Sequence, residues 1–211
     1  LLRTAALAAL LLLTGCGADW SEPHPAPSAV GALAPGFFAA RPHPEATITP
    51  APGSWDAVRP SGGYRVVLVA AGSDAPTKNL VAAVEDWAGE VDADLRTVAI
   101  THPHDLVPGI TRALDLKPDL IVSAGNDLID PMALVTASHL SQQFLVVGAE
   151  LAEPTHNVTA VDWPGASFRG EGLGTSSAYD PASFTPQRCA AAIRAGVAAV
   201  LNGLTGIVVW L

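Results

Sequence analysis

Five short polar runs, each directly behind an apolar stretch, hold the residues best suited to gripping a small molecule. They are Gly72-Ser73-Asp74, Thr101-His102, Gly125-Asn126-Asp127, Gly148-Ala149-Glu150 and Asp162-Trp163. Carboxylate and amide groups accept hydrogen bonds from hydroxyls, and a bond to a charged group contributes about 1.5–3 kcal/mol. Ser73, Asp74, Asn126, Asp127 and Asp162 are therefore the candidate ligand-binding residues, with Trp163 as a flat apolar face for stacking. Gly72 and Gly125 leave room for a backbone to approach a ligand. The same residue types also make good turns and helix caps, so at each position that simpler role competes.

Catalytic signatures are missing. The sequence has no GxSxG elbow, no HExxH and no GxxxxGK[ST] phosphate loop. The glycines of Gly170-Glu171-Gly172-Leu173-Gly174 do not directly follow a strand, as a dinucleotide fingerprint requires. His102-Pro103-His104 lacks the further ligands of a metal site and reads as a solvated loop. No enzyme activity, cofactor or metal is expected. Cys189 reads as a small core residue rather than a reactive thiol.

What must position the polar runs is an alternation of strands and helices. Tyr64 to Ala71 (YRVVLVAA), Asp94 to Ile100, Asp119 to Ala124, Phe144 to Gly148 and Val158 to Asp162 read as strands. Between them, Ala75 to Glu90, Leu106 to Leu116 and Leu128 to Leu140 carry apolar residues near helical spacing. A last helix starts at a Thr185 cap with Pro186 in its first turn and stops at Asn202-Gly203. Ile193, Val197, Val200, Leu201 and Leu204 form its apolar stripe, and Gly206 to Leu211 follows as a final strand. Such alternation predicts an α/β fold with a single open, mostly parallel sheet flanked by helices. In such sheets ligands sit beyond the carboxyl ends of the strands, where all five polar runs fall.

The N-terminal run LLRTAALAALLLLTGC has one basic residue, Arg3, then an apolar stretch too short to span a bilayer. Its end, Leu13-Thr14-Gly15-Cys16, resembles the bacterial lipobox, in which the cysteine thiol is acylated and the chain cut just before it. This implies residues 1–15 as a lipoprotein signal peptide. It also implies a lipid on Cys16 that holds the protein on the extracytoplasmic face of the cell membrane. Residues 16–63, rich in Pro, Ala and Gly, read as a tether, since frequent prolines block helix and sheet ladders. Trp20, Phe37-Phe38 and Trp55 are the spots within it able to pack on the domain, which is expected over residues 64–211. A net charge of −9, with no basic stripe, argues against a nucleic-acid partner. With Cys16 acylated, Cys189 has no intramolecular disulfide partner.

From Asp119 to Gly174 the sequence is similar to the first lobe of the basic membrane protein (BMP) family of substrate-binding lipoproteins. The likeness rests on Pro118-Asp119-Leu120-Ile121-Val122 leading through a glycine to a helix, then Phe144-Leu145-Val146-Val147. It continues through Asn157-Val158-Thr159 before a strand, Ser167-Phe168 and the glycines from Gly170 to Gly174. The resemblance implies one lobe of a type I periplasmic-binding-protein fold and a small-molecule solute such as a nucleoside. It implies as partners an ABC permease or, for a single-lobed or truncated form, a dimer mate supplying the second wall. The family's aromatic motif after the first strand is replaced here by Gly72-Ser73-Asp74-Ala75-Pro76. The alternative is a ligand-free envelope lipoprotein acting as a protein-interaction or sensor module.

Overall fold

The computed structural model describes residues 19–151, 154–169 and 178–211. Cys16 and the glycines from 170 to 174 lie outside the described residues. Three two-residue strands come first: β1 (Ala29–Val30), β2 (Thr47–Ile48) and β3 (Arg59–Pro60). The alternating part follows as β4 (Arg65–Ala71), α1 (Ala75–Val91), β5 (Asp94–Ile100), α2 (Leu106–Asp115), β6 (Leu120–Ala124) and α3 (Ile129–Thr136). Then come β7 (Gln143–Val147), β8 (Ala149–Leu151), β9 (Val158–Asp162), β10 (Ser167–Arg169), α4 (Pro186–Leu201) and β11 (Ile207–Trp210).

Seven strands form one sheet in the order β2-β11-β9-β7-β6-β4-β5, and every neighbouring pair is parallel. The α/β expectation therefore holds, with a doubly wound parallel sheet. Alternate residues of the strands feed two separate cores, because successive side chains point to opposite faces. Val66, Leu68, Leu120, Val122, Leu145 and Val161 pack with α1 and α4. Val67, Val69, Ile121, Phe144, Val146 and Val158 pack with α2 and α3.

Helix α1 is started by Asp74, whose side chain accepts from the Thr77 N–H, and buries Leu80, Val84 and Trp87 against the sheet. Helix α4 starts at the expected Thr185 cap, with Ile193 and Val197 fully buried. Leu201 on the same stripe is only half-buried, packed against the edge of the same core at the helix end. Cys189 is fully buried, and burial pushes its thiol up to about 11. That fits a core residue and not a nucleophile.

Residues 19–63 depart from the tether expectation. Trp20, Phe37 and Trp55 are buried in the two cores, while Phe38 stays exposed. Thr47–Ile48 adds a parallel strand to the sheet edge alongside Val208 and Val209. The prolines prevent long regular elements but not docking. Three large aromatics contribute apolar burial that helps hold an otherwise irregular chain against the domain. The predicted boundary at residue 63 therefore does not separate a loose segment from a folded one among residues 19–63.

Candidate functional site

Strand order places the site. Chain order runs outward from β4 in both directions, to β5 on one side and β6 on the other, so the connections leave the sheet on opposite faces there. A crevice opens at the carboxyl ends where that reversal occurs. In this chain it is lined by Thr77 from α1, Ser123 at the end of β6, Gly125 and Asn126 behind it, and Gly148 and Ser167 beyond β7. Tyr179 and Phe184, from the segment entering α4, close its far side. Leu80, Ile129 and Val147 supply an apolar floor. The free volume is about 20 Å³, room for a water molecule or so.

The crevice is narrow because the segment 178–184 leans into it. The Phe184 ring lies where a Cβ on Gly148 would come within 2.4 Å of it, so only glycine admits the ring there. The Asn79 side-chain amide donates to the Phe184 carbonyl at 2.7 Å, and Asp180 N–H donates to the Gly165 carbonyl at 2.9 Å. Tyr179 meets Phe184 edge-on at 5.8 Å and remains 43% exposed, so an aromatic face stands at the mouth.

Of the predicted site residues, Asn126 lines the crevice. Ser73, Asp74 and Asp127 are exposed on the same edge of the sheet but do not line it. Asp74 serves as a cap: its carboxylate accepts from the Thr77 N–H at 3.0 Å and the Thr77 hydroxyl at 2.9 Å. Burial pushes this carboxyl up, but the two Thr77 hydrogen bonds outweigh it and hold the group below its ordinary value. Asp74→Asn is expected to leave thermal stability nearly unchanged, because asparagine caps about as well. Asp74→Ala should cost about 0.5–2 kcal/mol in a denaturant melt, with no loss at Asn126.

Asp162 and Trp163 are corrections. Trp163 is fully buried, its ring 4.9 Å edge-on from Phe184 and its indole N–H donating to the Ser183 hydroxyl at 3.0 Å. It supports the segment that walls the crevice and has no free face for stacking. Asp162 is 2% exposed, and its carboxylate accepts from the Trp163 N–H at 2.8 Å. Burial, with Glu150 adding repulsion, pushes its carboxyl up to about 7 against the pull of that hydrogen bond. Asp162 ends β9 and Trp163 follows it, but the chain turns back at Pro164 and Gly165, and this return covers what an open strand end would expose.

Sequence reasoning missed Tyr179 and Phe184. Neither sits behind a strand, and the only nearby signal is the Thr185-Pro186 helix start. The Gly148 position was among the five polar runs, but its partner across the crevice was not legible. His102 and His104 stack at 5.4 Å on an exposed turn. The described residues hold no cluster of three or more potential metal ligands. Asn157 is fully buried, its amide within hydrogen-bonding distance of the Thr136, His139 and Gln142 carbonyls. It ties the loop after α3 to β9. No helix among the described residues is long and apolar enough to cross a membrane.

No known family's sequence profile and no curated protein matches the chain. Among solved structures it is similar to an ABC transporter system solute-binding protein from Aeropyrum pernix K1, at 18% identity and a TM-score of 0.42. That likeness covers 47% of this chain and 28% of the other. A protein described as a lipoprotein from Peptoclostridium difficile 630, a fragment, matches at 15% identity and a TM-score of 0.47, covering 67% of this chain and 99% of that one. A transcriptional activator of the comK gene from Bacillus halodurans matches at 11% identity and a TM-score of 0.42, covering 70% of this chain and 53% of that one. The chain thus spans well under two thirds of the first and third of these proteins. None of the three likenesses assigns a function to it.

Proposed function

We propose that the chain is a membrane-anchored, extracytoplasmic solute-binding lipoprotein, a single lobe of the BMP type. It binds a small polar solute, with a nucleoside as the first candidate, and does no catalysis. The observation that carries this reading is the crevice at the β4–β6 reversal. There Thr77, Ser123, Asn126 and Ser167 bring polar side chains together over an apolar floor, with Tyr179 at the mouth. Tyr179 takes the stacking role expected of Trp163. An ABC permease or a dimer mate is the partner this reading calls for, because one lobe encloses only part of a ligand.

The free volume of about 20 Å³ favours the alternative, an envelope module that contacts proteins and holds no solute. Solute binding requires the 178–184 segment to swing away from Gly148, and that motion costs its hydrogen bonds to Asn79 and Gly165. Titration calorimetry on the lipid-free domain with a nucleoside panel separates the two readings. The expected result is micromolar binding to at least one nucleoside, abolished by Asn126→Ala with an unchanged melting curve. Absence of heat at millimolar solute would establish the envelope module in its place.

A further inference from the structure

The first described residues are held hard against one edge of the sheet. Arg65, first residue of β4 and 6% exposed, donates through its guanidinium to three main-chain carbonyls. These are Asp19 at 3.1 Å, Trp20 at 3.2 Å and Glu22 at 3.0 Å. The Trp20 indole N–H donates at 2.7 Å to Asp94, first residue of β5, and the Arg96 guanidinium sits 4.2 Å from the Trp20 ring centre. His24 Nε2 lies 2.8 Å from the carboxylate of Asp119, the residue before β6, and that carboxylate also accepts the Arg65 N–H at 2.9 Å. The strands β5, β4 and β6 are adjacent and parallel, so all these contacts fall on the amino edge. A buried guanidinium cannot give up its carbonyl partners cheaply, which makes residues 19–24 a fixed latch and not a leash.

Cys16 lies three residues before Asp19, and three residues span at most about 11 Å. We infer that the amino edge of the sheet is the membrane-facing surface of this protein, seated against lipid headgroups. The crevice then points away from the bilayer, at the far end of the strands. β4 alone is seven residues, about 23 Å long. A domain of this size, with a radius of gyration on the order of 16 Å, can tilt on so short a connection but cannot invert. The inference rests on the anchored-lipoprotein reading, and extends it from attachment to orientation. A solute or partner arriving from outside meets the crevice directly, without entering the gap between protein and bilayer.

The test uses the full acylated chain in phosphatidylcholine vesicles carrying a headgroup spin label, which quenches fluorophores at short range. Cys189 is buried, so an introduced surface cysteine takes the dye selectively. One probe is Asp115→Cys, at the end of α2 beside the amino edge. The other is Ser73→Cys, beyond the carboxyl end of β4. Both positions are exposed. Quenching at position 115 is expected to exceed that at position 73 several-fold. Inserting roughly twenty Gly and Ser residues between Ala18 and Asp19 is expected to erase the difference, since such a linker spans more than the latch allows. Equal quenching in the vesicle-bound parent, or stronger quenching at position 73 than at position 115, overturns the orientation while leaving the anchor intact. Cys16→Ser is expected to release the protein from the vesicles. Its full retention, or failure of the parent chain to bind them, overturns the anchor and the orientation with it.

Discussion

Replacing Asp162 with asparagine is expected to stabilise the protein at pH 8 by several kcal/mol and to change it little at pH 4. The Asp162 carboxyl is pushed from an ordinary 3.8 up to about 7 by burial at the end of β9, with Glu150 contributing like-charge repulsion. In the unfolded chain the group titrates near its ordinary value. The native state therefore holds a proton that the unfolded state has already released between about pH 4 and 7. A raised carboxyl contributes stability that is fully present below the unfolded value and lost as pH climbs through the folded one. Three pH units at 1.36 kcal/mol each put the loss on the order of 4 kcal/mol. Asparagine keeps an acceptor for the Trp163 N–H and has no charge to bury, so its stability should be flat across that window. Urea melts at pH 4, 6 and 8 on both proteins read this directly. Parallel pH dependences in parent and variant would show that Asp162 reaches solvent once the chain around Trp163 breathes. Because Trp163 packs edge-on against Phe184, the same loss should loosen the crevice wall at high pH.

The architecture was legible because its signals are local and repeated. Runs such as YRVVLVAA and DLIVSA declare strands buried on both faces, and Thr185-Pro186 with Asn202-Gly203 bounds a helix to within a residue or two. The parallel order follows once strands and helices alternate, since each crossover must return to the same edge. Residues 19–63 were not legible, because composition reports backbone preference and says nothing of where a lone tryptophan finds a partner. Trp20 is held by Asp94 and Arg96, more than 70 positions away, and no periodicity marks that pairing. The edge strand Thr47–Ile48 is too short to show alternation.

For the site, position along the chain located the correct edge of the sheet but not which residues point into the crevice. Behind a strand, an aspartate faces three alternatives: ligand, helix cap or burial. Asp74 took the second and Asp162 the third, while Asp127 stayed exposed outside the crevice. Only Asn126, placed where the chain crosses from β6 toward α3, faces inward. The choice is made by what folds over each strand end afterwards. For β9 that cover includes the packing of Trp163 against Ser183 and Phe184, contacts that no strand-end rule anticipates.

Gly125→Ala is expected to cost about 3–5 kcal/mol, the largest effect of any single methyl at the crevice. Gly125 follows β6 with φ of 124°, a region that alanine occupies only under strain. Its missing Cβ would lie 1.9 Å from the Ala71 carbonyl oxygen and 2.9 Å from the Ala71 carbonyl carbon. Both obstacles are backbone at the end of β4, so no side-chain rotation relieves them. Backbone strain of about 1–3 kcal/mol adds to an overpacking cost of similar size. Gly125 is thus glycine because two adjacent strands converge there, and the opening available to a ligand is a by-product of that convergence. Gly89→Ala is the control. It lies inside α1 with nothing within 4 Å of an added Cβ, and should stabilise the protein by roughly 0.5–1 kcal/mol. Denaturant melts of the two variants should therefore move in opposite directions. If Gly125→Ala moved with the control, β4 and β6 would have to separate at their carboxyl ends without loss, and the crevice would be a soft gap instead of a preformed one. In the expected case the reversal point is rigid on the β4–β6 side. Any widening to admit a solute must then come from the opposite wall, where Phe184 rests on Gly148.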